Sequence, residues 1–331
     1  MKYGVSAILT VLFLVLAFRG TDFSKLYDSL AGANYWWILA NFGVLMVSHV
    51  IRAWRWRYLL DPIKPNIGLR NLFSGVMVGY MMNNILPRAG EITRPYTIGK
   101  LETISKGAAF GTIVVERIMD TLSFLLLIAA VPLLYHGEMS ASFPWLAEAS
   151  VVTALVTLAL FFVVVVFMLR RDWTDVMLRY FTKLVPGRMT GRVEHLAHAF
   201  LDGFLFLKRP GSFLMITVTS IAIWLLYALM MYCAFFAFDI QKLGINAAIA
   251  VLAISSIGVA LPTPGATGTY HAFTSQALMR LYGVDQAVAL SYATVTHAVG
   301  FVGVTVIGLY YFVKDNVSVS EAMKNGGPTQ P

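Results

Sequence analysis

Charge is scarce in this sequence. Only 13% of its 331 residues are Asp, Glu, Lys or Arg, about half the share of a soluble domain. Cysteine is scarcer still. Cys233 stands alone inside an apolar run, which excludes a disulfide framework and a cysteine-built metal centre. The longest polar stretch, 172–208, is too short for a catalytic domain. No HExxH, P-loop, GxSxG or Rossmann pattern occurs, so neither an enzyme nor a bound cofactor or metal is expected. His195 and His198 read as a solvated helix face.

What is present is apolar. Hydrophobic residues make up 58% of the chain and the mean hydropathy is +0.71. Runs at 3–18, 35–51, 107–135, 150–169, 212–238 and 286–313 approach or exceed the roughly 18–20 residues needed to cross about 30 Å of hydrocarbon. The first is read as a retained helix, although its length would also suit a signal peptide. The net charge of +8 is dispersed over loops between these runs, which excludes a nucleic-acid face and sets orientation instead. Segment 52–106 holds nine basic residues and segment 170–209 eight, whereas 136–149 holds none. Placing the basic segments inside gives six crossings of the cytoplasmic membrane, with both termini in the cytoplasm. Segment 172–208 then suits helices lying on the inner surface, and 314–331 a disordered tail.

Two apolar stretches do not read as simple crossings. Residues 71–86 end in Leu86, Pro87, Arg88, Ala89 and Gly90, and 243–262 lead into Leu261, Pro262, Thr263, Pro264 and Gly265. Proline and glycine break a helix there, and broken backbone at membrane depth is tolerated only inside protein or beside a wet cavity. Both are read as re-entrant hairpins, over 71–100 and 243–281. Asn84, Pro87 and Gly90 form the first turn, and Pro262, Pro264, Gly265 and Gly268 the second. Each follows two crossings and precedes a long helix. The expected fold is therefore an all-α polytopic membrane protein of about six transmembrane helices plus two hairpins in an inverted 3+3 repeat. Its halves are 1–135 and 136–313. Paired interruptions of this kind point to a site near the midplane.

Ionisable residues at span depth are costly and so informative. Arg88, Glu91 and Arg94 recur every three residues, and a helix starting after Gly90 would line them along one side. Two arginines by a helix start suit a phosphate; the competing reading is a basic loop snorkelling to headgroups. Glu116, Arg117 and Asp120 lie within about one turn in an apolar helix, as a substrate or proton site or as a neutralising pair between helices. Tyr270, His271 and His297 occupy the corresponding region of the second half, where a hydrogen-bonded structural histidine is the competing reading.

The run NNILPRAGEITRPYTIGKLETISKGAAFGTIVVERIMDTLSF resembles the first signature of the lysylphosphatidylglycerol synthase transmembrane-region family, also called flippase-like or UPF0104 proteins. Gly90, Glu91, Arg94, Glu116, Arg117 and Asp120 carry the match. Pro264, Gly265, Gly268 and His271 match the second signature, although Ala266 replaces a common glycine. The resemblance implies a membrane domain that moves lipids or lipid-linked groups between leaflets. It does not imply synthase activity, because no aminoacyl-transferase domain fits in this chain. The expectation is transbilayer movement of a phosphate-bearing lipid or lipid-linked precursor. Its headgroup would sit between the hairpins against Arg88, Glu91, Arg94, Arg117, Tyr270 and His271, and Glu116, Asp120 or His297 would balance charge or carry a proton. The alternatives are an intramembrane enzyme acting on a headgroup, or a non-transporting partner of a separate synthase or glycosyltransferase.

Overall fold

The computed structural model describes residues 2–134, 151–159, 162 and 210–317, and its regular structure there is helical throughout. Helix α1 spans Lys2–Phe18 and α2 Phe23–Ala31. The two meet at 89°, across a break where Gly20 takes a positive φ of 75° and Asp22 Oδ1 accepts from the Ser24 and Lys25 amides that start α2. A first series of four helices follows: α3 (Tyr35–Leu60), α4 (Leu69–Ile85), α5 (Gly90–Glu102) and α6 (Lys106–Leu134). A helical stretch at 151–159 comes next. The second series is α7 (Pro210–Ala237), α8 (Gly244–Ala260), α9 (Thr269–Tyr282) and α10 (Gln286–Lys314).

The two series match in length: 26, 17, 13 and 29 residues against 28, 17, 14 and 29. They match in packing too. The helix pairs α4 with α5 and α8 with α9 each fold back on themselves. Gly90 lies against Gly79, and Gly75 against the Arg94 carbonyl; likewise Gly258 faces Thr269, and Ser255 bonds to Thr274. Rising residue numbers on one helix meet falling numbers on its partner, so both pairs are antiparallel. α4 packs on α10 as α8 packs on α6, and α3 and α7 cross with the most extensive contact of all.

Each series centres an apolar core that also takes in a residue of the other. Ala53, Trp56, Leu59, Leu60, Leu72, Val76, Ile98 and Ile113 form one with Ile216 of α7, and Phe235, Val251, Leu278, Ala289 and Tyr292 belong to the other with Ile38 of α3. Large apolar side chains elsewhere face outward, including Leu214, Val218, Ile221 and Leu225 along α7 and Val302, Val306, Leu309 and Val313 along α10. An outward apolar face running the length of a helix suits a hydrocarbon solvent, not water.

Among the described residues, four helices are long and apolar enough to cross a bilayer, namely α3, α7, α10 and Gln241–Ala260; the bent α1–α2 pair raises this to five. One of the four contains α8, which the sequence predicts as a limb of the second re-entrant hairpin and which is by length and composition a candidate crossing. Three expectations are corrected. The first internal crossing does not stop at residue 51: α3 runs on to Leu60, because the face carrying Arg52, Arg55 and Trp56 is buried in protein and needs no water. The tail does not loosen at 314. Asp315 bonds to Ser74 and lies 3.6 Å from Arg70, and Val317 is buried against Val78, Met81, Met82 and Tyr96. Finally, Arg88 precedes α5, in a left-handed conformation (φ 63°), rather than lying on its face. The amphipathic segment 172–208, the crossing at 150–169 beyond residues 151–159 and 162, and tail residues from 318 onward lie outside the described residues.

Candidate anion site in a buried arginine cluster

α3 places His49, Arg52, Arg55 and Trp56 along one face by their three- and four-residue spacing. α6 brings Glu116, Arg117 and Asp120 opposite, and α5 brings Arg94. Glu116 is 0% exposed and lies at the centre. Arg94 donates to it through both terminal nitrogens, NH2 to Oε2 at 2.8 Å and NH1 to Oε1 at 3.0 Å, the forked geometry that suits a guanidinium. Arg52 NH1 also reaches Oε1, and it lies 2.7 Å from Asp120 Oδ2. Arg55 NH2 stands 2.8 Å from Asp120 Oδ1 and 3.3 Å from Glu116. α7 closes the cluster: Tyr227 Oη accepts from Arg52 at 3.0 Å and Ser220 Oγ from Arg55 at 3.0 Å.

Arg94 lies over the Trp56 ring at 4.1 Å, and Trp56 Nε1 donates to Thr112 at 2.9 Å. Small residues make room for this. A Cβ on Gly79 would press to 3.3 Å from the Arg94 side chain, and one on Gly90 would run into the Gly79 carbonyl. Glycine at position 90 is a packing requirement, whereas at 79 a methyl group would ask the Arg94 side chain to give by a few tenths of an ångström. At the end of α4, Asn83 Oδ1 accepts from the Gly90 amide at 2.7 Å and fixes the start of α5.

The charge does not cancel. Arg52, Arg55, Arg94 and Arg117 face two carboxylates, Glu116 and Asp120, so two positive charges are left over before Glu91, which shares the pocket, is counted, and one with Glu91 ionised. Arg117 is the least engaged: its side chain is 42% exposed and lies 3.9 Å from Glu116. The Nε atoms of Arg94 and Arg117 find no hydrogen-bond partner among the described residues. Both arginines line a small pocket with Tyr80, Asn83, Glu91 and Ile113, bounded by α4, α5 and α6. Low-dielectric surroundings magnify an uncompensated charge, so the sign of the charge beside the pocket favours an anion over a cation.

The residues expected from sequence thus fall into three places. Arg94, Arg117, Glu116 and Asp120 come together, and Glu91 joins them at the pocket. Arg88 is exposed at the turn and stands apart. Tyr270, His271 and His297 form a second cluster: the His271 and His297 rings lie 4.6 Å apart, His297 Nε2 bonds to the Gly265 carbonyl at 2.8 Å, and Tyr270 Oη bonds to Thr296 at 3.0 Å. His271 Nδ1 accepts from the Gly268 amide at 3.3 Å. The pocket therefore lies within the first series rather than between the two turns, and its walls carry none of these three residues.

The turns themselves do meet. Asn84 donates to the Phe301 carbonyl at 3.1 Å and to Thr305 at 2.9 Å, and it lies against Gly265. Gly265 (φ 54°) and Gly268 (φ 84°) adopt backbone that favours glycine, and the former is pressed by Phe301. Pro87, Pro262 and Pro264 occupy the helix breaks.

Arg52, Arg55, His49, Tyr80, Ser220 and Tyr227 are absent from the sequence reading. A basic pair three residues apart just past an apolar run looks like the start of a cytoplasmic loop. The available signal is Ser48 and His49 before it, which extend one polar stripe through RAWRWR. Among the described residues, no group of three or more His, Cys, Asp or Glu could hold a metal.

The family model described as lysylphosphatidylglycerol synthase TM region matches residues 3–308. A UPF0104 membrane protein of Methanothermobacter thermautotrophicus is 25% identical over 318 residues, covering 90% of this chain and 91% of the relative. A UPF0104 membrane protein of Methanocaldococcus jannaschii is 34% identical over 129 residues, 38% of each chain. One of Pyrococcus horikoshii is 22% identical over 83% of this chain and 86% of its own. No solved structure matches the chain.

Proposed function

The chain belongs to the lysylphosphatidylglycerol synthase TM region family, and from that premise we propose that it moves a phosphate-bearing lipid, or lipid-linked precursor, across the cytoplasmic membrane. The observation that carries the reading is the excess of guanidinium charge, which persists with Glu91 ionised, beside a pocket that two of those arginines line. A lipid phosphate supplies the missing negative charge, with its tails left in hydrocarbon. Arg117 is the principal contact, because Arg94 is committed to Glu116 on one edge of its fork. Arg52 and Arg55 hold the carboxylates that position Arg94.

The recurrence of helix lengths and packing supports an inverted repeat, with α4–α5 and α8–α9 as opposed re-entrant hairpins touching at Asn84 and Gly265. Rocking one series against the other would then expose the pocket to each leaflet in turn. In this reading the basic segments 52–106 and 170–209 face the cytoplasm together with both termini, as the positive-inside tendency supports. Transport without chemistry is favoured over an intramembrane enzyme because Glu116 and Asp120, the carboxylates at the centre of the cluster, are both ion-paired with arginines.

Reconstitution tests this. Liposomes bearing the purified protein and labelled phosphatidylglycerol should equilibrate the label between leaflets without altering it, and Arg117→Gln should slow that equilibration at least tenfold. Undiminished flipping by that variant removes the proposed site. A chemically changed headgroup favours an enzyme, and activity only with a co-purifying transferase favours the partner role.

A further inference from the structure

The carboxylates near the pocket are of two kinds. Glu116 and Asp120 are held by Arg52, Arg55 and Arg94 at ion-pair distance, and protonating either would strand buried guanidinium groups. Glu91 differs. It stands in the first turn of α5, lines the pocket, is partly exposed, and forms no ion pair among the described residues.

We propose that Glu91 makes anion binding in this pocket proton-linked, so that a phosphodiester enters together with the proton that neutralises the Glu91 carboxylate. The inference rests on reading the pocket as a phosphate site and goes on to say how that site is regulated. The groups facing Glu91 decide the matter. From α6 comes Arg117, from α5 Arg94, and from α4 only the uncharged Tyr80 and Asn83. Behind Tyr80, at 4.7 Å between rings, stands His49 of α3, and Arg88 at the turn is exposed. With Glu91 ionised the group carries one excess positive charge, and with Glu91 neutral it carries two. An incoming monoanion meets one like charge more in the first state than in the second, where only the arginine-held Glu116 and Asp120 remain, so it binds the second more tightly. Linkage makes the effect mutual: the anion draws a proton onto Glu91 by the same factor. The pair would cross as a net neutral cargo, unopposed by the membrane potential.

Calorimetric titration of the detergent-solubilised full chain with dioctanoyl phosphatidylglycerol, and with tail-less dimethyl phosphate, tests this from about pH 5 to about pH 8; one linked proton changes affinity by at most about tenfold per pH unit. Wild type should bind more weakly as pH rises, with proton uptake visible as a buffer-dependent heat. Glu91→Gln should bind tightly with no slope and no uptake, and Glu91→Asp should keep both. A Glu91→Gln variant that retains the slope and the uptake overturns the proposal, as does one that melts like wild type yet binds neither probe at any pH. The lipid should bind at least tenfold tighter than dimethyl phosphate; equal affinity overturns a lipid source. If wild type binds neither probe, or Arg117→Gln leaves its affinity unchanged, the phosphate reading itself fails and the proton link with it.

Discussion

Glu116 anchors three arginines at once, and its removal should be the most damaging single change in the first series. Glu116→Gln leaves Arg52, Arg55 and Arg94 competing for Asp120 alone. Breaking a buried ion pair from one side costs about 3–5 kcal/mol, so the variant should show a large drop in thermal midpoint in detergent or express poorly. Arg117→Gln, by contrast, removes a partly exposed group 3.9 Å from its nearest carboxylate and should melt within a few degrees of wild type. If both variants melt alike, the division between a structural and an anion-facing arginine is wrong. A milder case lies at the far end of α5. Partial burial pushes the Glu102 carboxyl up, but hydrogen bonds from Lys64 and Asn71 and the Lys64 charge outweigh it and hold the group below the usual carboxylate range. The ionised form is thus favoured by folding. The tie contributes fully at neutral pH and is lost as pH falls through the lowered folded value. The melting difference between wild type and Glu102→Gln should therefore close on acidification; a difference independent of pH would show the bond is not charge-assisted.

At the scale of elements, the helix pairs depend on close backbone approach. A methyl group on Gly90 meets the Gly79 carbonyl and Asn83 Oδ1, and neither the carbonyl nor the amide that fixes the α5 start can readily give way. Gly90→Ala should therefore cost about 1–3 kcal/mol, the usual penalty for overpacking, and shift Arg94 away from Trp56. A lowered thermal midpoint, with a shifted Trp56 emission in a background whose six other tryptophans are replaced by phenylalanine, would register it; an unchanged spectrum and midpoint would mean the pair has slack. Asn84 acts between elements. It joins the α4 end to α10 through two hydrogen bonds just where the Pro264–Ala266 turn packs. Glycine and asparagine at these points are thus explained by contact, whereas their spacing in sequence explains only that a turn exists.

For the whole molecule, the question is whether the two series move against one another. One tie would resist that. Asp315 and Asn316, at the end of α10, are held by Ser74 and Lys100 at the base of the α4–α5 pair, and Val317 seals the join. Ser74→Cys with Asp315→Cys, in a Cys233→Ser background, should therefore be bridged by a short thiol cross-linker. Flipping should stop on cross-linking and resume after a reducible linker is cleaved. Undisturbed flipping by the cross-linked protein would exclude rocking about this join.

The apolar runs by themselves determined that this chain is helical and lives in a bilayer, because a crossing demands a length of hydrocarbon-soluble residues that no soluble fold supplies. The broken helices were legible too, since Pro87, Pro262 and Pro264 act on their own backbone. Residues Arg94, Glu116, Arg117 and Asp120 stood out because a charge at that depth requires a partner. Which partner was decided only in three dimensions. Arg52 and Arg55 meet Glu116 and Asp120 across more than sixty positions of chain, and local spacing carries no record of such a contact. The same packing moved the pocket into the first series and left His271 and His297 elsewhere. Local pattern reports what a segment must bury; only the assembled helices report what it is buried against.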